Sequence, residues 1–182
     1  MQIKAKLIDH ENLTRTITRL AHEIIERNYG AKNIAIVGIQ TRGEFLARRI
    51  CNKISEMEGF EIPFGVLNIT LYRDDVRVKM TQPEVKATNI LFDITDKDII
   101  LVDDVLYTGR TARSAMDALT DLGRYASIQY VVLVDRGHRE LPIKADFVGK
   151  NIPTSINEEV KVKLVEVDGE DAVYLVESTG HD

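Results

Sequence analysis

Apolar residues recur at helical spacing between Asn12 and Tyr29, where Leu13, Ile17, Leu20, Ala21, Ile24 and Ile25 fall on one face and Gly30 is placed to end the helix. The pattern then changes to a short apolar run, Ile34 to Ile39, which predicts a buried strand. Gly43 to Met57 returns to helical spacing with Phe45, Leu46, Ala47 and Ile50 inward, and a further strand is expected near Gly65 to Leu71. A long polar stretch, Tyr72 to Asp98, separates these elements from the apolar run Ile99-Ile100-Leu101-Val102, a helical pattern over Ala112 to Leu122 and a buried strand over Ile128 to Val134. Strands that alternate with helices imply an α/β fold with a mainly parallel central sheet. Such a sheet gathers the C-terminal ends of its strands at one edge, where ligands bind.

The tail is different in kind. Val160, Val162, Leu164 and Val167 follow a largely alternating pattern, Asp168-Gly169 signals a turn, and Ala172 to Val176 reads as a second strand. A C-terminal β-hairpin is expected, and periodicity leaves open whether it joins the sheet or caps the site.

Composition narrows the picture. At 182 residues and 44% hydrophobic content, with no tandem repeat or Pro/Gly-rich linker, one domain spanning residues 1–182 is expected. Met1 to Lys6 carries no apolar signal core and no apolar run approaches bilayer length, so a cytoplasmic protein with no membrane partner is expected. Cys51, the only cysteine, excludes an internal disulfide and a multi-cysteine zinc site. The net charge of −5 argues against a surface coated with positive charge for nonspecific nucleic-acid binding, but leaves room for a local basic patch.

The chemistry concentrates in Ile99 to Thr111. Asp103 and Asp104 stand at the end of the apolar strand, and Thr108-Gly109-Arg110-Thr111 opens the next helix. A helix start presents unpaired N–H groups and the positive end of the dipole, which suits a phosphate; Gly109 lets the backbone approach, and the Thr108 and Thr111 hydroxyls donate. The carboxylates would repel that phosphate, so they fit the other end of a sugar phosphate, either accepting from vicinal hydroxyls or holding hydrated Mg²⁺. A second turn, Gly38-Ile39-Gln40-Thr41-Arg42-Gly43, follows the first predicted strand and aims a cation at the same sheet edge.

The form Asp-Asp-Val-Leu-Tyr-Thr-Gly-Arg-Thr over residues 103–111 resembles the phosphoribosyl-pyrophosphate (PRPP) motif of type I phosphoribosyltransferases, and most closely that of the PyrR family of pyrimidine attenuators and uracil phosphoribosyltransferases. The resemblance implies the type I phosphoribosyltransferase fold. It also implies that Asp103, Asp104 and Arg42 carry catalysis, with Mg²⁺ as cofactor at the two aspartates. Residues Thr41, Arg42, Asp103, Asp104, Val105, Leu106, Tyr107, Thr108, Gly109, Arg110, Thr111 and Arg136 would contact PRPP or UMP, with Thr41 and Arg42 at the pyrophosphate, where family members often strain the peptide. Tyr72 to Asp98 reads as a lid, its candidate cations being Arg73, Lys79 and Lys86. Purine-using relatives typically carry Asp before Thr-Gly; Tyr107 stands there instead and is a poor base at neutral pH, which disfavours a purine.

The same resemblance implies a second surface, for structured pyr leader mRNA, at Thr18, Arg19, His22, Arg27, His138, Arg139, Lys144 and Lys150. Charge alone does not suggest it, since a polar face on the first helix is what solvent requires. The expected function is conversion of uracil and PRPP to UMP and pyrophosphate, joined to RNA binding that responds to UMP or UTP, in a homo-oligomer that is a dimer or larger. Two rivals stand beside it: a salvage phosphoribosyltransferase for another base without RNA binding, and a catalytically silent regulator that senses nucleotide.

Overall fold

The computed structural model describes residues 2–70, 72 and 88–177. The chain opens with β1 (Gln2–Ile8) and α1 (His10–Arg27), then β2 (Ile34–Ile39), α2 (Arg42–Glu58) and β3 (Phe64–Leu67). After the polar stretch come β4 (Asp98–Leu106), α3 (Arg110–Leu122), β5 (Ser127–Asp135) and β6 (Phe147–Asn151), and the tail forms β7 (Glu158–Lys163), α4 (Val165–Asp168) and β8 (Ala172–Glu177). The central sheet has the order β3-β2-β4-β5-β6 with every pairing parallel. This is the expected α/β architecture.

Period-two alternation assigns each strand residue to a layer. Ile34, Ile36, Ile100, Val102, Val131 and Leu133 pack beneath α1 and α2, whereas Ala35, Val37, Ile99, Leu101 and Val132 pack beneath α3. β2 is buried along its whole length, which is why it reads as a continuous apolar run rather than an alternating one. Each fully buried Ile, Leu or Val contributes about 1.5–3 kcal/mol of transfer free energy. α1 begins where Asp9 accepts from the Asn12 amide at 2.8 Å, two residues before the predicted start, and buries Leu13, Ile17, Leu20, Ala21 and Ile24.

The tail strands belong to a separate antiparallel sheet, β1-β8-β7. β1 is not anticipated by the hydrophobic pattern, because only Ile8 in it is buried; pairing with β8 makes it a strand. β6 is short and half-polar, and likewise draws its identity from β5. The expected hairpin is interrupted: Leu164 is fully buried, α4 follows it, and Gly169 ends the turn at φ +76°. The strand expected near Gly65 to Leu71 ends at Leu67, and the far end of the long polar stretch is anchored where Asn89 bridges Val66 and Ile94 enters the core.

One ionic knot joins the small sheet to the large one. Arg49 on α2 donates to both oxygens of Glu166 (2.9 and 2.6 Å) and both oxygens of Asp171 (2.9 and 2.8 Å). Asp171 also accepts from the Val165 amide at 2.9 Å and meets His10 Nδ1 at 3.0 Å. Burial would raise the Asp171 pKa, but the Arg49, Val165 and His10 hydrogen bonds outweigh it and bring it down to about 2 from 3.8. A depressed carboxylate pKa stabilises the fold above its unfolded value, and that stabilisation disappears as pH falls through the folded value. Asp171→Asn is therefore expected to cost about 2 kcal/mol near neutrality, with the gap from the parent narrowing as the medium is acidified from 3.8 toward about 2. Urea unfolding across that range checks it; a gap that does not change with pH would remove the carboxylate charge from this role.

Candidate active site

The start of α2 lies against the end of β4 because two glycines permit it. A Cβ on Gly43 would stand 2.6 Å from the Val102 carbonyl oxygen, and one on Gly38 would stand 2.6 Å from the Glu44 Cα. Those approaches put Thr41, the residue before α2, and Arg42, its first residue, beside Asp103 and Asp104. The Gln40–Thr41 peptide that leads into them is cis. Together with Ile39, Gln40, Asn68, Ile69, Thr70, Val105 and Thr111 these residues line a cleft of about 380 Å³ at the C-terminal edge of the sheet.

The two carboxylates differ in environment. Asp103 is buried, accepts from the Asp104 amide at 2.9 Å and from the Tyr130 hydroxyl at 3.2 Å, and its pKa is pushed well above the ordinary carboxylate value by burial and by the neighbouring Asp104 charge. Asp104 is partly exposed and accepts from the Val105 amide at 2.8 Å. Across the cleft, Arg42 donates Nε and Nη2 to the two oxygens of Asp168 at 3.1 and 2.7 Å. Those bonds raise the Arg42 pKa and lower that of Asp168.

Immediately beyond, Val105 to Thr111 with Tyr130 and Glu140 line an adjoining cleft of about 440 Å³. Gly109 stands before α3 at φ +93°, a conformation that favours glycine. The residue before α3, Gly109, offers no side chain to cap it, and the helix carries no acidic residue in its first turn. Its first amides lack intrahelical acceptors, so the helix start is open to an anion. The Thr108 hydroxyl accepts from the Arg110 amide at 3.3 Å, and the Thr108 carbonyl accepts from the Glu140 and Leu141 amides at 3.0 and 3.1 Å.

Arg136 is placed behind the site rather than in its open face. It is 6% exposed, its Nε donates to Thr154 Oγ1 at 3.2 Å and its Nη2 to the Glu158 carbonyl at 2.5 Å, and its guanidinium lies 4.0 Å from the Tyr107 ring centroid. Tyr107 also meets the His138 ring edge-on at 6.1 Å between centroids. Arg136 therefore shapes the wall that Tyr107 presents.

The residues assigned by resemblance to RNA fall into two groups. On α1, Arg19 donates to the Gly149 carbonyl at 2.6 Å and pairs with Glu23, while Arg27 pairs with Asp146 at 2.9 Å and lies over the Phe147 ring; Thr18 donates to the Thr14 carbonyl and His22 is exposed. Lys150 on β6 donates to the Leu7 carbonyl of β1 at 3.0 Å, and the bond from Arg19 to Gly149 of β6 makes α1 and β6 one continuous surface. In the loop after β5, His138 and Lys144 are exposed, but Arg139 is engaged internally, donating to the Ile143 and Tyr107 carbonyls at 2.9 and 2.8 Å and to Asp135. Arg139 ties this loop to the turn before α3. The lid candidates Arg73, Lys79 and Lys86 lie outside the described residues.

Sequence reasoning misses Gln40, Asn68 and Thr70 in the cleft wall, Tyr130 against Asp103, and Asp168 against Arg42. Gln40 carries a usable signal, since it directly follows a predicted strand whose end forms the binding edge, whereas Asn68 and Thr70 fall inside the strand expected near Gly65 to Leu71 and reach the edge because β3 ends at Leu67. Tyr130 pairs in register with Leu101, two residues before Asp103 on the same face of β4. Asp168 carries none, because its partner is distant in sequence.

A family model for the phosphoribosyl transferase domain matches residues 5–167. The chain is 61% identical over 180 residues to a bifunctional protein PyrR of Thermus aquaticus, covering 99% of both chains. It is 59% identical over 172 residues to that of Deinococcus radiodurans, covering 94% of both. Among solved structures it is similar to a hypoxanthine-guanine phosphoribosyltransferase of Bacillus anthracis, with TM-score 0.73 at 20% identity over 96% of this chain and 99% of that one. A hypoxanthine phosphoribosyltransferase of Trypanosoma cruzi gives TM-score 0.72 at 17% identity over 97% and 98%. The structural likeness establishes a shared type I phosphoribosyltransferase fold, and the sequence matches go further: this chain belongs to the PyrR family.

Proposed function

We infer that the paired clefts bind PRPP and uracil, and that the observation carrying this is the placement of Asp103 and Asp104 between the open start of α3 and Arg42. As a PyrR-family protein the chain is bifunctional, a uracil phosphoribosyltransferase and an attenuator of pyrimidine genes. In the reaction, uracil N1 bonds to C1′ as the bond from C1′ to the pyrophosphate oxygen breaks, and N1 gives up its proton. Positive charge builds on the ribose and negative charge on the leaving group.

The α3 amides with Thr108 and Thr111 hold the 5′-phosphate, converting binding of a remote group into orientation of C1′. Asp103 and Asp104 face the ribose, and Arg42 with Thr41 faces the pyrophosphate. The donor set fits Mg²⁺: two adjacent carboxylates, with no cluster of three or more His, Cys, Asp or Glu among the described residues, suit an ion that keeps waters and takes further ligands from substrate phosphates. When bound there, Mg²⁺ supplies charge neutralisation at the leaving group. It would also offset the mutual repulsion that raises the Asp103 pKa.

The RNA surface we assign to α1, β6 and the loop after β5, where Thr18, Arg19, His22, Arg27, His138, Arg139, Lys144 and Lys150 lie; family resemblance supports it, and so does the continuity of α1 with β6. Uridine nucleotide at the catalytic cleft would tune that binding. A cytoplasmic homo-oligomer, dimer or larger, also follows from resemblance; no helix among the described residues is long and apolar enough to cross a membrane.

Asp103→Asn combined with Asp104→Asn is expected to lower UMP formation at least about a hundredfold; a near-normal rate in a steady-state assay would remove the aspartates from catalysis. Lys144→Ala, which breaks no internal hydrogen bond among the described residues, is expected to weaken binding of a pyr leader hairpin and to reduce the slope of log affinity against log salt by about one. An unchanged slope would place that lysine off the RNA. UMP added at fixed salt should tighten the same complex, and an affinity indifferent to UMP would break the link between the two sites.

A further inference from the structure

We propose that Asp168, in α4 of the small sheet, is a positioning residue for phosphoribosyl transfer, holding the Arg42 guanidinium so that its remaining donors face the leaving pyrophosphate. The inference rests on the assignment of Arg42 to that group. Arg42 uses one edge of its planar fork, Nε and Nη2, on the two Asp168 oxygens at 3.1 and 2.7 Å. The fork is rigid, so Nη1 and the outer Nη2 proton stay available on the opposite side, where Arg42 lines the cleft with Asp103 and Asp104.

The support is itself fixed. Asp168 Oδ2 accepts from the Leu164 amide at 2.9 Å, and the Asp168 amide donates back to the Leu164 carbonyl at 2.7 Å. Leu164 is fully buried in the core, and the Arg49 knot holds the neighbouring Glu166. A chain of fixed contacts thus runs from the core through Leu164 and Asp168 to Arg42.

Arg42 also feels the charge of Asp104. Released from Asp168, its long side chain would be drawn toward that carboxylate, masking a charge meant for the ribose while leaving the pyrophosphate end without an oriented donor. Asp168 prevents this collapse by engaging Arg42 from behind. The small sheet thereby contributes to a reaction whose other described groups come from the large one.

The test compares Asp168→Ala, Asp168→Asn and Arg42→Gln for kcat, KM for PRPP, inhibition by pyrophosphate and calorimetric affinity for UMP. UMP has no pyrophosphate, so it reads the 5′-phosphate, ribose and base contacts without the pyrophosphate end. Asp168→Ala is expected to raise the pyrophosphate inhibition constant and the KM for PRPP roughly tenfold, the scale of one charge-assisted hydrogen bond, while UMP affinity stays at the parent value. Asp168→Asn, which keeps the shape and one acceptor, should recover part of the loss, and adding Asp168→Ala to Arg42→Gln should cost nothing more. If Arg42→Gln weakens pyrophosphate but Asp168→Ala does not, the positioning role is overturned and the Arg42 assignment stands. If Arg42→Gln leaves pyrophosphate inhibition unchanged, both fall. Equal weakening of UMP and pyrophosphate by Asp168→Ala, with a lowered melting temperature, would mean that Asp168 only supports the fold, and would overturn the proposal.

Discussion

The site depends on how closely the first turn of α2 can approach the end of β4. At Gly43 there is no room for a side chain, the position of a Cβ being 2.6 Å from the Val102 carbonyl oxygen. Moving the helix away to admit one would carry Thr41 and Arg42 away from Asp103 and Asp104, and the cleft between the two strand ends would lose one wall. Backbone contact between a strand and a neighbouring helix start therefore sets the distance between the cation and the carboxylates, and side-chain chemistry operates within that distance.

Asp103 shows what the arrangement costs. A carboxyl buried beside a second carboxyl is disfavoured as an anion, and the Asp104 amide and Tyr130 hydroxyl offset only part of the penalty. Such a group is poised to gain from an approaching positive charge, whether a metal ion or a ribose developing cationic character. The start of α3 has the complementary character: positive, without an acidic residue in its first turn and lined with hydroxyls. A ligand with a phosphate at one end and an electron-poor ring carbon at the other satisfies both at once.

The proposed catalytic edge and the proposed RNA surface share a loop. Glu140 and Leu141 donate to the Thr108 carbonyl, Arg139 donates to the Tyr107 carbonyl, and the same segment carries exposed His138 and Lys144. The turn before α3 and the basic loop are hydrogen-bonded into one piece, so a change in one has a direct physical path to the other. Arg139, assigned to RNA by family resemblance, has most of its donors engaged in that joint.

Local pattern was enough to establish the parallel α/β core and the binding edge, because fully buried strands leave apolar runs and a phosphate turn needs glycine and hydroxyls at fixed offsets, as in Ile99 to Thr111. Bound by the same logic, the family motif over residues 103–111 pointed to the chemistry. β1 and β6 escaped notice because their strand character comes from partners, β8 and β5, rather than from buried residues of their own. Asp168 read only as half of a turn, and the partners of Arg136, a substrate contact by resemblance, were not legible, because ion pairs and cation–π contacts between distant segments leave no periodic trace in sequence. Sequence thus determined which elements form and which chemical groups reach the sheet edge, while tertiary packing alone decided which charges are already partnered there, since that follows from through-space distances set when the two sheets come together.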